Sequence, residues 1–281
     1  MQKPLISVAS LRERLGAADA RVIDCRFNLL APAAGREAWL ESRIPGACYA
    51  DLDKDLAGPV TADTGRHPLP DPELFMRWLG SIGVTPATNV IVYDSAGGAV
   101  AARLWWLLRW LGHREVAVLD GGWQAWSHAE TIETAAPVAP EPAIADYPGL
   151  PGAMPLLALG EVAPAIEAGL CLFDARDAAR FAGEVEPIDP VKGHVPGARN
   201  LPFNHLLGKD GCFLPAEDIK LAFAAAAGGQ KSLACMCGSG VTACHLILGA
   251  EVAGLPTPAL YAGSWSEWIR DSARPVATSG T

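Results

Sequence analysis

The sequence predicts an α/β protein built from two copies of one domain, each a mostly parallel sheet flanked by helices. Short apolar runs, typical of buried strands, alternate with longer helical patterns, several of which end in glycine. A series of motifs also occurs twice in the same order. The first half contains VIDCR, RIPGA, NVIVYD and GGWQAW, and the second half contains LFDAR, HVPGA, KSLACMC and GSWSEW.

The spacing of the motifs supports a duplication. Asp94 and Trp123 are 29 residues apart in the first half, and Cys237 and Trp265 are 28 residues apart in the second. Aligned in this way, Asp94 stands where the second copy has a cysteine. We therefore predict an N-terminal domain over residues 1–134, an extended Pro/Ala-rich linker over 135–155 and a C-terminal domain over 156–281.

Composition excludes several classes of function. The 281 residues include 22 basic and 31 acidic side chains, a net charge of −9, without a Lys/Arg run, so nucleic-acid binding is not expected. No apolar run approaches the ~18 residues of a membrane span. The N-terminus does not resemble a signal peptide, and seven cysteines are an odd number for a disulfide framework. These features predict a cytoplasmic protein with free thiols.

The loop after the apolar run LACM carries the strongest chemical signal. Cys237 is followed by a Gly-Ser-Gly turn and then by a helix expected from about residue 242. Gly238 and Gly240 allow a tight turn, and the backbone amides of the turn and of the helix start, at Val241 and Thr242, can point at the sulfur. Such a cradle stabilises a thiolate, which is the nucleophilic form, and would also hold a persulfide anion.

Three other interpretations of this cysteine fit the surrounding residues less well. An inert buried thiol needs no Gly-Ser-Gly turn. A metal site lacks a CxxC pair, because its ligands would be Cys235, Cys237, Cys244 and His245. A phosphatase loop needs an arginine six residues after the cysteine, where this chain has Ala243. We therefore predict no metal and no organic cofactor.

The segment CGSGVTAC at 237–244 resembles the active loop of the 3-mercaptopyruvate sulfurtransferases of the rhodanese superfamily. GHVPGA and GSWSEW are similar to segments of tandem rhodanese domains, so the resemblance covers essentially the whole chain. It implies two rhodanese-like domains, of which the first is catalytically silent. Thiosulfate-preferring relatives have basic residues after the cysteine, whereas Gly238 and Ser239 stand here. This difference implies 3-mercaptopyruvate as the sulfur donor.

The resemblance also implies a proton-transferring triad of Ser239, His67 in GRHPLP and Asp53 in DLDKD, with Asp51 and Asp55 as rivals for the carboxylate. From the residues alone, an ordinary loop histidine beside Pro68 and Pro70 is the favoured interpretation of His67. Because His67 and Asp53 precede residue 135, the triad would place the site between the two predicted domains.

Donor binding is implied for Arg180, which matches a substrate-binding arginine of the family and could clamp a carboxylate. From the residues alone it could instead pair with Asp177. The second arginine that the family often has after an E-P pair is missing, because the segment reads GEVEPID. Lys192 and Arg103 are candidate replacements.

The implied function is transfer of sulfane sulfur from 3-mercaptopyruvate, through a persulfide on Cys237, to a thiol, thioredoxin or cyanide, with release of pyruvate. The expected partners are thus a small-molecule donor and a thiol acceptor, and neither nucleic acid nor a membrane. Two alternatives stay open at this point. One is a thiosulfate:cyanide sulfurtransferase, and the other is a non-enzymatic sulfur carrier or redox-sensing module.

Overall fold

The computed structural model describes residues 3–129 and 145–279. These residues form two compact units. The first contains the described parts of Met1–Gly58, Leu69–Ala153 and Lys209–Phe213. The second contains the described parts of Pro59–Pro68, Met154–Gly208 and Leu214–Thr281. Of the predicted linker, residues 135–144 lie outside the described residues.

The sheet of the first unit has five parallel strands in the order β1-β5-β4-β2-β3. The strands are β1 (Leu5–Ile6), β2 (Ala20–Asp24), β3 (Cys48–Tyr49), β4 (Asn89–Tyr93) and β5 (Val116–Leu119). The helices are α1 (Val8–Arg14), α2 (Ala33–Glu41), α3 (Pro72–Ser81), α4 (Ala101–Trp110) and α5 (Gly122–Ala129).

The predicted elements of this unit form for local reasons. The β-branched run of β4 is buried from its second residue onward, as expected for a central strand covered on both faces. Helix α3 begins at Pro72, where a missing N–H is tolerated. The preceding Asp71 caps the helix by accepting hydrogen bonds from the amides of Glu73 and Leu74.

The sheet of the second unit has four parallel strands in the order β7-β6-β8-β9. The strands are β6 (Cys171–Asp174), β7 (Arg199–Asn200), β8 (Leu233–Met236) and β9 (Ala259–Leu260). The α-helices are α6 (Leu159–Glu167), α7 (Ala178–Ala182), α8 (Ala216–Ala227), α9 (Val241–Val252) and α10 (Ser264–Trp268). A short 3-10 helix covers Phe203–Leu206.

The two sheets have the same topology. If β6, β7, β8 and β9 replace β2, β3, β4 and β5, the strand order is identical, and a parallel bridge from Leu156 to Leu260 stands where β1 pairs with β5. The predicted α/β fold of two mostly parallel sheets with flanking helices is confirmed. Among the described residues, no helix is long and apolar enough to cross a membrane.

The topology positions one edge of the second sheet for chemistry. Strands β6 and β8 are neighbours, with Asp174 in register with Met236 at their carboxyl ends. The residues that follow these two strands therefore meet at the same edge, where ligands bind in parallel sheets. Arg176 lies just beyond β6, and Cys237 follows β8 directly.

Candidate active site

Cys237 occupies an amide cradle between β8 and α9. Its Sγ accepts hydrogen bonds from the backbone N–H groups of Ser239, at 3.4 Å, and Gly240, at 3.1 Å. Gly240 is the N-cap of α9 and has a φ of +80°, and a Cβ there would collide with the carbonyl oxygen of Ala262. The sulfur therefore faces two amide dipoles and the start of a helix, an arrangement that favours negative charge.

The cysteine loop is fixed by the segment that starts α10. The hydroxyl of Ser264 accepts a hydrogen bond from the Cys237 amide at 3.0 Å and donates one to the Tyr261 carbonyl at 2.9 Å. The Trp265 amide donates to the Cys237 carbonyl at 3.0 Å. The Ser266 amide donates to the Gly238 carbonyl at 2.9 Å. Because these bonds fix the loop backbone, the amides that face the sulfur are already oriented before any ligand binds.

Ser239 and His67 form a hydrogen-bonded pair beside the cysteine. Oγ of Ser239 lies 2.7 Å from Nδ1 of His67, and only 6% of the serine and 3% of the histidine are exposed. Which atom donates depends on the protonation of the imidazole. A buried hydroxyl–imidazole pair of this length can pass a proton in either direction.

His67 precedes residue 135 in the sequence but is grouped with the second compact unit. Residues 59–68 belong to the second unit, the same unit that carries Cys237 and Ser239. Long-range bonds hold this segment there. The Arg66 amide donates to Oγ of Ser266 at 2.9 Å, and Nε of Arg270 donates to the Thr64 carbonyl at 2.9 Å.

A cluster of three arginines and three acids lies next to the loop. Arg176 forms a two-pronged pair with Asp174, with a shortest distance of 2.6 Å. Burial alone would lower the pKa of Arg176, but the charges of Asp174 and Glu186 outweigh it, so that the pKa is raised. The guanidinium also lies 4.8 Å from the ring centre of Trp265, whose side chain is buried in the core of the unit.

Arg180 is paired with acids of the segment in which the family's second arginine is missing. Its Nε and Nη2 donate to Glu186, and Nη2 also lies 3.2 Å from Asp189. Burial would raise the pKa of Glu186, but hydrogen bonds from Arg180 and from two backbone amides lower it. The alternative pair of Arg180 with Asp177 does not form. Asp177 instead caps α7 by accepting a hydrogen bond from the Ala179 amide.

The structure adds a cation that sequence reasoning missed. Arg66 pairs with Asp189 at 2.5 Å, and its Nη2 lies 3.1 Å from the position that a Cβ on Gly238 would occupy. In the sequence, its position in the GRHPLP motif, directly before His67, could have indicated a place near the site. Of the earlier candidates, Lys192 is exposed and donates to the Glu184 carbonyl, and Arg103 is buried in the first unit near the Leu56 carbonyl.

The proposed acid Asp53 lies in the first unit, on an exposed turn. The Asp51 carboxylate accepts a hydrogen bond from the Asp53 amide at 3.0 Å. The Asp55 carboxylate accepts one from the Asp51 amide at 2.8 Å. Burial first, and the charge of Asp51 second, raise the pKa of Asp53. Burial is also the main reason that the pKa of Asp55 rises to about 6. The choice among these acids stays a prediction.

Cys235, Cys171 and Cys212 lie in environments that disfavour ionisation. Burial, reinforced by neighbouring thiols, raises the pKa of Cys235 well above its ordinary value. Burial likewise raises the pKa of Cys171 and of Cys212 to about 11. Within the described residues, no group of three or more His, Cys, Asp or Glu side chains is placed to hold a metal ion.

Comparison with known proteins identifies the family of this chain. The model of the rhodanese-like domain matches twice, at residues 7–129 and 159–271. The chain belongs to the rhodanese family. It is 47% identical over 279 residues to the "Probable 3-mercaptopyruvate sulfurtransferase" of Pseudomonas aeruginosa, with 98% of each chain covered. It is 33% identical to the thiosulfate sulfurtransferase of Bos taurus, over 96% of this chain and 93% of that one.

A solved rhodanese-family structure agrees with these matches. The 3-mercaptopyruvate sulfurtransferase from Leishmania major superposes with a TM-score of 0.84 and 33% identity, covering 95% of this chain and 74% of that one. The predicted family and the prediction of a sulfurtransferase enzyme are thereby confirmed. Sulfur transfer requires a small-molecule sulfur donor and a thiol-type acceptor, which agrees with the expected classes of partner.

In the first rhodanese-like domain, Asp94 occupies the position that corresponds to Cys237. Asp94 follows β4 as Cys237 follows β8, and its carboxylate accepts four backbone N–H groups at 2.7–2.9 Å. The four donors are Ala96, Gly98, Val100 and Ala101. The same strand–loop–helix cradle thus holds a permanent anion in one copy and a sulfur in the other.

Proposed function

We propose that this enzyme is a 3-mercaptopyruvate sulfurtransferase that carries sulfur on Cys237. The observation on which this rests is the position of Cys237 Sγ against two backbone amides, next to the buried Ser239–His67 pair. A nucleophile, an anion cradle and a proton-transferring pair are the three groups that this reaction needs. The similarity to named 3-mercaptopyruvate sulfurtransferases supports the choice of donor.

The proposed reaction balances without a cofactor. The Cys237 thiolate attacks the donor sulfur, an S–S bond forms, and the donor's C–S bond breaks. The electron pair of that bond remains on the leaving carbon as the enolate of pyruvate. The proton of the donor thiol passes through Ser239 and His67 to this carbon, which leaves pyruvate and a persulfide anion on Cys237. We propose that Asp53 orients the imidazole.

The persulfide anion is expected to use the same cradle as the thiolate. The amides of Ser239 and Gly240 already face the sulfur, and those of Val241 and Thr242 begin helix α9. A small thiol, reduced thioredoxin or cyanide then attacks the outer sulfur and regenerates the Cys237 thiolate. We also propose a cytoplasmic location, since each of the seven cysteines, all within the described residues, carries a free thiol.

The test is steady-state release of pyruvate from 3-mercaptopyruvate, with cyanide as acceptor, for the wild type and for Cys237→Ser. We expect turnover in the wild type and none in the variant, because a serine hydroxyl is a far weaker nucleophile at neutral pH. Cys171→Ser is the matched control, since that thiol lies in β6, away from the loop. Equal activity of Cys237→Ser and wild type would contradict the assignment of the nucleophile.

Thiosulfate is the second candidate donor. The guanidinium groups of Arg66 and Arg180 lie near Gly238, where they could also attract a sulfonate, and the bovine relative is named for thiosulfate. The ratio of kcat/KM for the two donors decides between them. We expect 3-mercaptopyruvate to have the higher value. A higher value for thiosulfate would reassign the donor while leaving Cys237 as the carrier.

A further inference from the structure

We propose that Ser266 is a positioning residue that sets His67 at the distance from Ser239 that proton transfer requires. The inference rests on the proposed function, because it concerns the acid–base pair of the same reaction. Ser266 lies in α10 and is 5% exposed, and its side chain and its backbone bond to two different segments. It thereby connects the segment that carries the imidazole to the loop that carries the nucleophile.

The two hydrogen bonds of Ser266 reach the neighbours of both proton-transferring residues. Its Oγ accepts a hydrogen bond from the Arg66 amide at 2.9 Å, and Arg66 directly precedes His67. Its amide donates to the Gly238 carbonyl at 2.9 Å, and Gly238 directly precedes Ser239. Each member of the Ser239–His67 pair is therefore one residue away from a bond to Ser266.

The hydroxyl of Ser266 is oriented by the turn that begins α10. It donates to the Gly263 carbonyl at 3.4 Å, and a hydroxyl that donates one hydrogen bond keeps its oxygen available as an acceptor for the Arg66 amide. A Cβ built on Gly65 would collide with the Gly263 carbonyl oxygen and would lie 2.9 Å from Oγ of Ser266. Glycine at position 65 therefore lets the segment of His67 lie directly against this turn.

Proton transfer is sensitive to small displacements of the imidazole. Oγ of Ser239 and Nδ1 of His67 are 2.7 Å apart, and both side chains are buried. A displacement of about 1 Å would break this hydrogen bond, and a misplacement of that size can lower a rate by about 100-fold. A bond that fixes the backbone next to His67 therefore acts on the rate through the imidazole.

The experiment measures kcat and KM for 3-mercaptopyruvate in the wild type, Ser266→Ala, His67→Gln and the double variant. Ser266→Ala removes the hydroxyl but keeps the amide that donates to the Gly238 carbonyl. We expect kcat to fall about tenfold with KM within about twofold, because the donor still binds while the imidazole is displaced. In the His67→Gln background the same substitution should change kcat less than about twofold, since Ser266 acts through His67.

Two further variants separate positioning from a general loosening of the segment. Gly65→Ala should lower kcat as Ser266→Ala does, because the added Cβ pushes the segment away from the Gly263 carbonyl. The control is Arg270→Gln, which removes a bond from an exposed side chain to the Thr64 carbonyl of the same segment. It should leave kcat within about twofold of the wild type, as is usual for substitutions at the surface.

A second readout does not depend on turnover. The Arg66 amide is hydrogen-bonded to Ser266, so Ser266→Ala should speed hydrogen exchange at this amide. Unchanged exchange or unchanged kcat in Ser266→Ala, an equal fall in kcat in the His67→Gln background, or an equal fall in Arg270→Gln would overturn the inference. Absence of wild-type turnover would instead overturn the proposed function itself.

Discussion

At the scale of single residues, the chemistry depends on the polar groups around Cys237. Two amides face the sulfur, one hydroxyl–imidazole pair lies beside it, and the nearby guanidinium groups of Arg176 and Arg180 are largely occupied by acids. The paired cations therefore contribute a fixed field, whereas Ser239 and His67 form the hydrogen-bonded pair that can exchange a proton. This division of roles leads to a prediction about the pair.

We predict that Ser239→Ala and His67→Gln each lower kcat for pyruvate release about 100-fold, the usual scale for loss of proton transfer. Because the two residues share one hydrogen bond, the double variant should be no slower than either single one. The measurement is kcat for the three variants with saturating 3-mercaptopyruvate. If the two factors multiply in the double variant, the residues act separately and the pair is not a relay.

Residue-level prediction from sequence succeeded where the signal is local. The cradle of Cys237 follows from a strand, two glycines and a helix start within a few residues, and the structure has each of them. Arg66 was missed because its partners, Asp189 and Ser266, are more than 100 positions away in the chain. Nothing in the local pattern around GRHPLP indicates which loop it reaches.

At the scale of elements, the start of α10 repeats the start of α5 with one informative change. Gly122 has a φ of +55° in the first unit, and Ser264 has the same φ at the matching position of the second. A serine in this region is strained, since its Cβ crowds the backbone. The Ser264 hydroxyl accepts a hydrogen bond from the Cys237 amide. In the first unit, Gly122 has no side chain that could do the same.

We predict that the free energy of unfolding of Ser264→Ala is about 1 kcal/mol lower than that of Ser264→Gly. Both variants lose the hydrogen bond to the Cys237 amide, but only alanine keeps the strained Cβ. Urea unfolding at neutral pH measures the difference. Both variants should also lower kcat, and to the same extent, because each leaves the loop amide without its acceptor. Greater stability of the alanine variant would show that this φ is not a source of strain.

At the scale of the whole molecule, the two units exchange short pieces of chain. Residues 59–68 come from the first half of the sequence but belong to the second unit, and Lys209–Phe213 come from the second half but belong to the first. In the first unit, the Phe213 amide donates to Asp120 at 2.8 Å. Neither rhodanese-like unit is therefore a continuous stretch of sequence.

The sequence could not predict this exchange of segments between the two units. The duplicated motifs predict two sheets with the same strand order, because each motif lies at a strand or helix terminus and its chemistry is local. The exchange depends on bonds such as that from Arg270 to Thr64, which join residues with no shared pattern. His67 lies within hydrogen-bond distance of Ser239, and its segment, residues 59–68, is grouped with the second unit although it comes from the first half of the chain.

The exchange predicts that the second half of the chain cannot work alone. A polypeptide of residues 154–281 contains Cys237, Ser239 and the whole four-stranded sheet, yet it lacks His67 and Arg66. We expect it to release pyruvate from 3-mercaptopyruvate at least about 100-fold more slowly than the full chain, the usual scale for a lost acid–base group. A synthetic peptide of residues 59–68 should restore part of the rate, and the same peptide with His67→Gln should not. Full activity of the second half without peptide would contradict a catalytic role for His67, because this polypeptide does not contain His67.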